Sequence, residues 1–156
     1  MRSFQFSSLV FCVLCASMFT SCNLFKKSGD KIKEVKNTGV QFTSSQTLSD
    51  VLDLALAEDK LVFVDFYTTW CLPCKLMDED VFPDKRLGEF MNENFVSYKV
   101  NAEKGNGVNL ATLYSINAYP TLLFLDSKGN VLEKKIGAAY QREMFSLGEA
   151  ALSGMQ

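Results

Sequence analysis

Leu61 to Tyr67 (Leu-Val-Phe-Val-Asp-Phe-Tyr) is an almost continuous apolar run, broken only by Asp65. Such a run predicts a central strand covered on both faces. Ahead of it, Leu48, Val51, Leu52, Ala55 and Leu56 recur at helical spacing. They predict a helix capped by Ser45 or Thr47 and closed by Asp59-Lys60. Val40-Gln41-Phe42 predicts a short edge strand. A second helix is expected to begin near Cys71 and run to about Asp80, until Phe82-Pro83-Asp84 interrupts it. Asp84 then caps a helix to about Asn94. Phe95 to Asn101 alternates as a strand, Gly105-Asn106-Gly107 is a turn, and Val108 to Tyr114 a short helix. Thr121 to Leu125 and Val131 to Ile136 predict two strands joined by the turn Asp126-Ser127-Lys128-Gly129-Asn130. Tyr140 to Leu152 closes the chain as a helix. This order predicts an α/β fold with strands of mixed direction.

The first residues follow another pattern. Arg2 is the only charge before Lys26, and Leu9 to Phe19 is almost wholly apolar. A positive start, a short apolar stretch and the small residues Thr20-Ser21 read as a signal peptide over 1–21. The stretch is shorter than the roughly 20 residues of a comfortable membrane span. Phe19-Thr20-Ser21-Cys22 resembles a bacterial lipoprotein processing site, with Phe19 where an aliphatic residue is usual. That resemblance implies lipidation of Cys22, with residues 22–39 as a lysine-rich tether and 40–156 as the folded domain. Simple secretion and an uncleaved anchor are the alternatives.

Composition narrows the chemistry. A net charge of −2 offers no basic excess for nucleic acid. The chain has no histidine, which removes the commonest metal ligand and the usual base of hydrolases. The chain has five cysteines; on the lipoprotein reading Cys12 and Cys15 would leave with the signal and Cys22 would take the lipid. Cys71 and Cys74 remain as thiols. Two cysteines three apart, where a strand gives way to a helix, can open and close a disulfide without moving the fold. The same spacing serves zinc sites and structural disulfides. Here zinc would need carboxylates or a second chain, and so small a loop constrains little chain entropy.

Each residue near the pair has a role to weigh. At a helix N-terminus Cys71 is favoured as a thiolate, and it is expected to be exposed and to act as the nucleophile. Cys74, one turn on and more buried, is the resolving thiol. Pro73 sits in the first turn, where a missing N–H costs nothing. Trp70 either shields the disulfide and offers a flat contact surface or simply packs in the core. Asp65 interrupts an apolar strand, so burial is expected to raise its pKa unless it lies at an exposed edge. Lys99 is a candidate partner for it. Asp78-Glu79-Asp80 reads as a solvated helix face rather than a docking patch.

Val64-Asp65-Phe66-Tyr67 with Trp70-Cys71-Leu72-Pro73-Cys74-Lys75, then Lys99-Val100-Asn101, Tyr119-Pro120-Thr121, Gly129 and Gly137, resembles the thioredoxin superfamily across roughly residues 40–153. Cys74 to Phe82 is similar to the C-terminal periplasmic domain of transmembrane thiol reductant transporters. The resemblance implies a thioredoxin fold with a mixed sheet of four to five strands. It implies that Pro120 is cis, with Tyr119 turned toward substrate, and that Asp65 exchanges a proton with Cys74. Leu72-Pro73 replaces the family's usual Gly-Pro. The function implied is a lipid-anchored, periplasm-facing thiol–disulfide oxidoreductase of the bacterial envelope. Its partners would be protein thiols and disulfides and a membrane reductant donor. No cofactor is expected beyond the redox-active disulfide, since no G-x-G-x-x-G opens a helix. A disulfide-forming oxidase, a metal-binding module and a redox-inert scaffold are the rival readings.

Overall fold

The computed structural model describes residues 39–45 and 47–154. The expected signal peptide, Cys22 and the tether up to residue 38 lie outside them.

The elements are α1 (Leu48–Glu58), β1 (Leu61–Tyr67), α2 (Leu72–Leu76), α3 (Lys85–Asn94), β2 (Phe95–Asn101), α4 (Gly107–Leu113), β3 (Thr121–Leu125), β4 (Val131–Ile136) and α5 (Gln141–Ser153). They form a four-stranded sheet in the order β2-β1-β3-β4. β1 runs parallel to β2 and antiparallel to β3, and β4 runs antiparallel to β3.

The two faces of β1 explain its apolar run. Val62, Val64 and Phe66 pack with residues of α1 and α4 on one side. Leu61 and Phe63 pack with residues of α3 and α5 on the other. Asp65 alternates onto this second face, among apolar neighbours.

Local chemistry sets the helix starts. Thr47 Oγ1 accepts from the Asp50 amide at 3.2 Å and donates to the Asp50 carboxylate at 2.7 Å, closing the first turn of α1. Asp84 caps α3 by accepting from the Leu87 amide at 2.8 Å. At Gly107 a Cβ would lie 2.0 Å from the Asn101 carbonyl oxygen, so only glycine can start α4 there.

Two expectations need correction. The Val40–Phe42 strand reduces to one parallel bridge, Phe42 to Ser97, so the sheet has four strands among the described residues. Backbone bonds flank the bridge at Val40 and Thr43, but they do not build a ladder. The helix expected from Cys71 to Asp80 is α2 followed by a π turn, Met77–Val81. There the Phe82 amide reaches back five residues to the Met77 carbonyl at 2.9 Å.

Candidate functional site

Cys71 and Cys74 are joined by a disulfide at the start of α2. Cys71 is the N-cap of this helix, and its sulfur accepts from the Cys74 amide at 3.2 Å. The sulfur thus lies where amide donors and the helix dipole favour negative charge. Pro73 occupies the first turn, and it is exposed.

Cys71 was expected to be exposed; in the oxidised protein it is only 3% accessible, and Cys74 1%. The sulfur turns inward to its partner and to the Cys74 amide. The outward surface belongs to Trp70, Leu72 and Pro73. Exchange at this bond therefore depends on the side chains that border it as well as on the sulfur.

Trp70 is 65% exposed, which excludes the core-packing reading. Its indole N–H donates to both carboxylate oxygens of Glu103, at 3.0 and 3.1 Å. The ring meets Tyr119 edge-on, with centroids 6.0 Å apart. The Tyr119–Pro120 peptide bond is cis. Trp70, Glu103 and Tyr119 thus form one continuous chain of contacts beside the disulfide. Nothing in the sequence pattern singled out Glu103, which lies 33 residues from Trp70.

Asp65 is 1% accessible, so it is not an edge residue. Lys99 is its register partner on β2, and Lys99 Nζ lies 2.9 Å from Asp65 Oδ2. The ammonium is the partner of Oδ2, and Asp65 Oδ1 has no hydrogen-bond partner among the described residues. Burial pushes the Asp65 pKa up; the charge of Lys99 opposes this without cancelling it, and the charge of Asp78 adds to the rise.

Lys99 also pairs with Asp78, which comes from the π turn after α2. Asp78, Glu79 and Asp80 are all exposed, as expected of a solvated face, and Asp78 is in addition tied to the Asp65–Lys99 pair. The helix carrying the cysteines is thereby fastened to Asp65 through one ammonium. Around that ammonium stand the rings of Tyr67 at 5.0 Å and of Phe42 and Phe82 at 5.1 Å. Burial pulls the Lys99 pKa down, but the charge of Asp65 and the contacts with both carboxylates outweigh it and hold the pKa above its ordinary value.

Beside the pair lies a cavity of about 280 Å³, lined by Pro73, Leu76, Met77, Val81, Ala139 and Tyr140 among others. An apolar hollow next to a reactive bond can seat a segment of another chain.

A mixed four-stranded sheet with a cysteine pair at a helix N-terminus, beside a cis-proline, defines a thioredoxin-like thiol–disulfide oxidoreductase fold. The model of the family described as Thioredoxin-like domain matches residues 48–151. The chain belongs to this family. It is similar to Thioredoxin-T of Drosophila melanogaster, 39% identical over 84 residues, which are 54% of this chain and 50% of that protein. The chain therefore spans about half the length of this curated relative. It is similar to the solution structure of a candidate disulphide-isomerase from Bacteroides thetaiotaomicron, with 39% identity and a TM-score of 0.64, covering 76% of this chain and 95% of that one. It also resembles the C-terminal domain of DsbD from Neisseria meningitidis in the reduced form, at 26% identity and a TM-score of 0.57, covering 70% of this chain and 97% of that domain.

Proposed function

We propose that this protein is a lipid-anchored thiol–disulfide oxidoreductase facing the bacterial periplasm, and that it reduces protein disulfides. The observation that carries the reading is the Cys71–Cys74 disulfide with Cys71 at the N-cap of α2. In the reduced enzyme, Cys71 thiolate attacks a substrate disulfide. A mixed disulfide forms and one substrate thiolate leaves. Cys74 gives its proton to the Asp65 carboxylate, attacks the Cys71 sulfur and releases the second substrate thiolate. Two electrons have passed to the substrate, and the enzyme is left oxidised. The burial of Asp65 and its raised affinity for a proton support this role.

Trp70, Tyr119 and the segment at Pro120 form the contact surface for substrate, and the apolar hollow at Pro73 takes one of its side chains. Likeness to the C-terminal domain of DsbD supports a membrane thiol donor as the source of electrons. Phe19-Thr20-Ser21-Cys22 supports the lipid anchor.

The test uses two variants. Cys71→Ser abolishes insulin reduction, and Cys74→Ser accumulates mixed disulfides that dithiothreitol releases. Normal turnover by Cys71→Ser would overturn the mechanism. The reduction potential decides the direction: a value near −270 mV supports a reductant, while one near −120 mV makes the protein a disulfide-forming oxidase.

A further inference from the structure

The Gly39–Thr43 segment is held more closely than a linker requires. The Val40 amide donates to the Phe82 carbonyl at 2.7 Å, and the Thr43 amide to the Ser97 carbonyl at 2.8 Å. Between them, the Asn92 side chain accepts from the Gln41 amide at 2.8 Å and donates to the Gly39 carbonyl at 3.1 Å. At Gly39 a Cβ would lie 1.9 Å from the Phe82 carbonyl oxygen, so the strap is fitted to the domain at its first described residue. These bonds hold the backbone on both sides of Phe42. Its ring meets Phe82 edge-on at 5.1 Å and lies 5.1 Å from Lys99 Nζ.

Lys99 has two anionic partners in opposite settings. Asp65 is buried; Asp78 is exposed. The exposed carboxylate draws the ammonium outward, and the buried one draws it inward. The aromatic wall stands around the same ammonium, and ring faces attract a cation within about 6 Å. Tyr67 and Phe82 belong to the body of the domain, while Phe42 is supplied by the strap alone. Lys99 Nζ, 2.9 Å from Asp65 Oδ2, is the one group that favours the Asp65 charge, so its position bears directly on that charge.

We propose that Phe42 is a positioning residue of the redox site, holding the Lys99 ammonium against Asp65 in competition with Asp78. The strap thereby becomes part of the proton-handling machinery, although it touches neither cysteine's chemistry nor substrate. This rests on the reading of Asp65 as the group that exchanges a proton with Cys74.

The experiment reads Asp65 directly, by carboxyl carbon-13 NMR titration of the oxidised full chain. In that form Cys71 and Cys74 do not titrate. The groups facing Asp65 and Lys99 are then Asp78 from the π turn and the Tyr67 phenol at the end of β1; Phe82 and Phe42 carry no charge. Phe42→Leu keeps the apolar volume and removes the ring face. The ammonium drifts toward Asp78, and the Asp65 midpoint rises by about half a unit. Phe42→Tyr keeps the ring and leaves the midpoint in place. Pentafluorophenylalanine at position 42 keeps the shape with a ring face that no longer attracts a cation, and it reproduces the rise even if the leucine variant fails to fold. An unchanged or lowered midpoint in the folded variants overturns the proposal. That failure differs from failure of the Asp65 mechanism, which is read separately as unaltered turnover in Asp65→Asn.

Discussion

The indole N–H of Trp70 is shared between both carboxylate oxygens of Glu103, so a largely exposed ring is held by a charged acceptor from the loop after β2. Trp70 is the chain's only tryptophan, which makes its fluorescence a report on the redox site alone. Glu103→Ala is expected to alter the emission change on disulfide reduction. The pair is solvent-screened, so the stability loss stays at or below about 1 kcal/mol. The effect on catalysis falls on substrate binding: KM for a protein disulfide rises severalfold while kcat moves less. Equal KM values for variant and parent would remove Glu103 from the substrate surface.

Asp65 is expected to cost the fold stability at neutral pH. Its folded pKa lies above the ordinary 3.8, so the folded state holds the proton more tightly than the unfolded chain. Stability therefore declines as pH climbs above that ordinary value. Asp65→Asn removes the cost and stabilises the protein at pH 7 by roughly 1–3 kcal/mol. The advantage shrinks as pH falls toward 3.8 and is lost below it, where the carboxyl is neutral in both states. Urea denaturation at pH 4 and pH 7 measures both values. The same variant reduces disulfides more slowly.

Asp78→Asn acts in the opposite sense to loss of the Phe42 ring. The negative charge at Asp78 contributes to the rise in the Asp65 pKa, and Asp78 competes for Lys99. Without it, the Asp65 midpoint falls and any dependence of turnover on that ionisation moves to lower pH. A pH–rate profile from 5 to 9, together with the carboxyl titration, checks the sign.

Gly107→Ala tests the start of α4 independently of the chemistry. The new methyl would collide with backbone at Asn101, which cannot swing aside as a flexible side chain can. A loss of several kcal/mol is expected, visible as a lowered Tm with little change in the activity of the remaining folded protein.

The strands were legible because β1 and β3 are nearly uniform apolar segments and β2 alternates, and each keeps the limits that the pattern gave. Helix capping by Asp84, and by Thr47 of the two candidates Ser45 and Thr47, was legible for a similar reason, since it needs only neighbours within one turn. The π turn was not, because Met77–Val81 carries the same local composition that a regular helix would. Val40–Phe42 looked like a strand, but pairing beyond one bridge depends on what lies alongside it. The site divides in the same way. The spacing of Cys71 and Cys74 is local, as is the interruption at Asp65. The links from Lys99 to Asp78 and from Trp70 to Glu103 join residues 21 and 33 positions apart, and no spacing rule announces them. The enclosure of Cys71 is likewise a product of tertiary packing.

One atom at the head of α2 serves two purposes. Serine at position 71 would still offer an oxygen to the Cys74 amide, so architecture survives while reactivity is extinguished; alanine would remove both together. Comparing the two replacements isolates what sulfur contributes as a tie in the scaffold from what it contributes as a reagent.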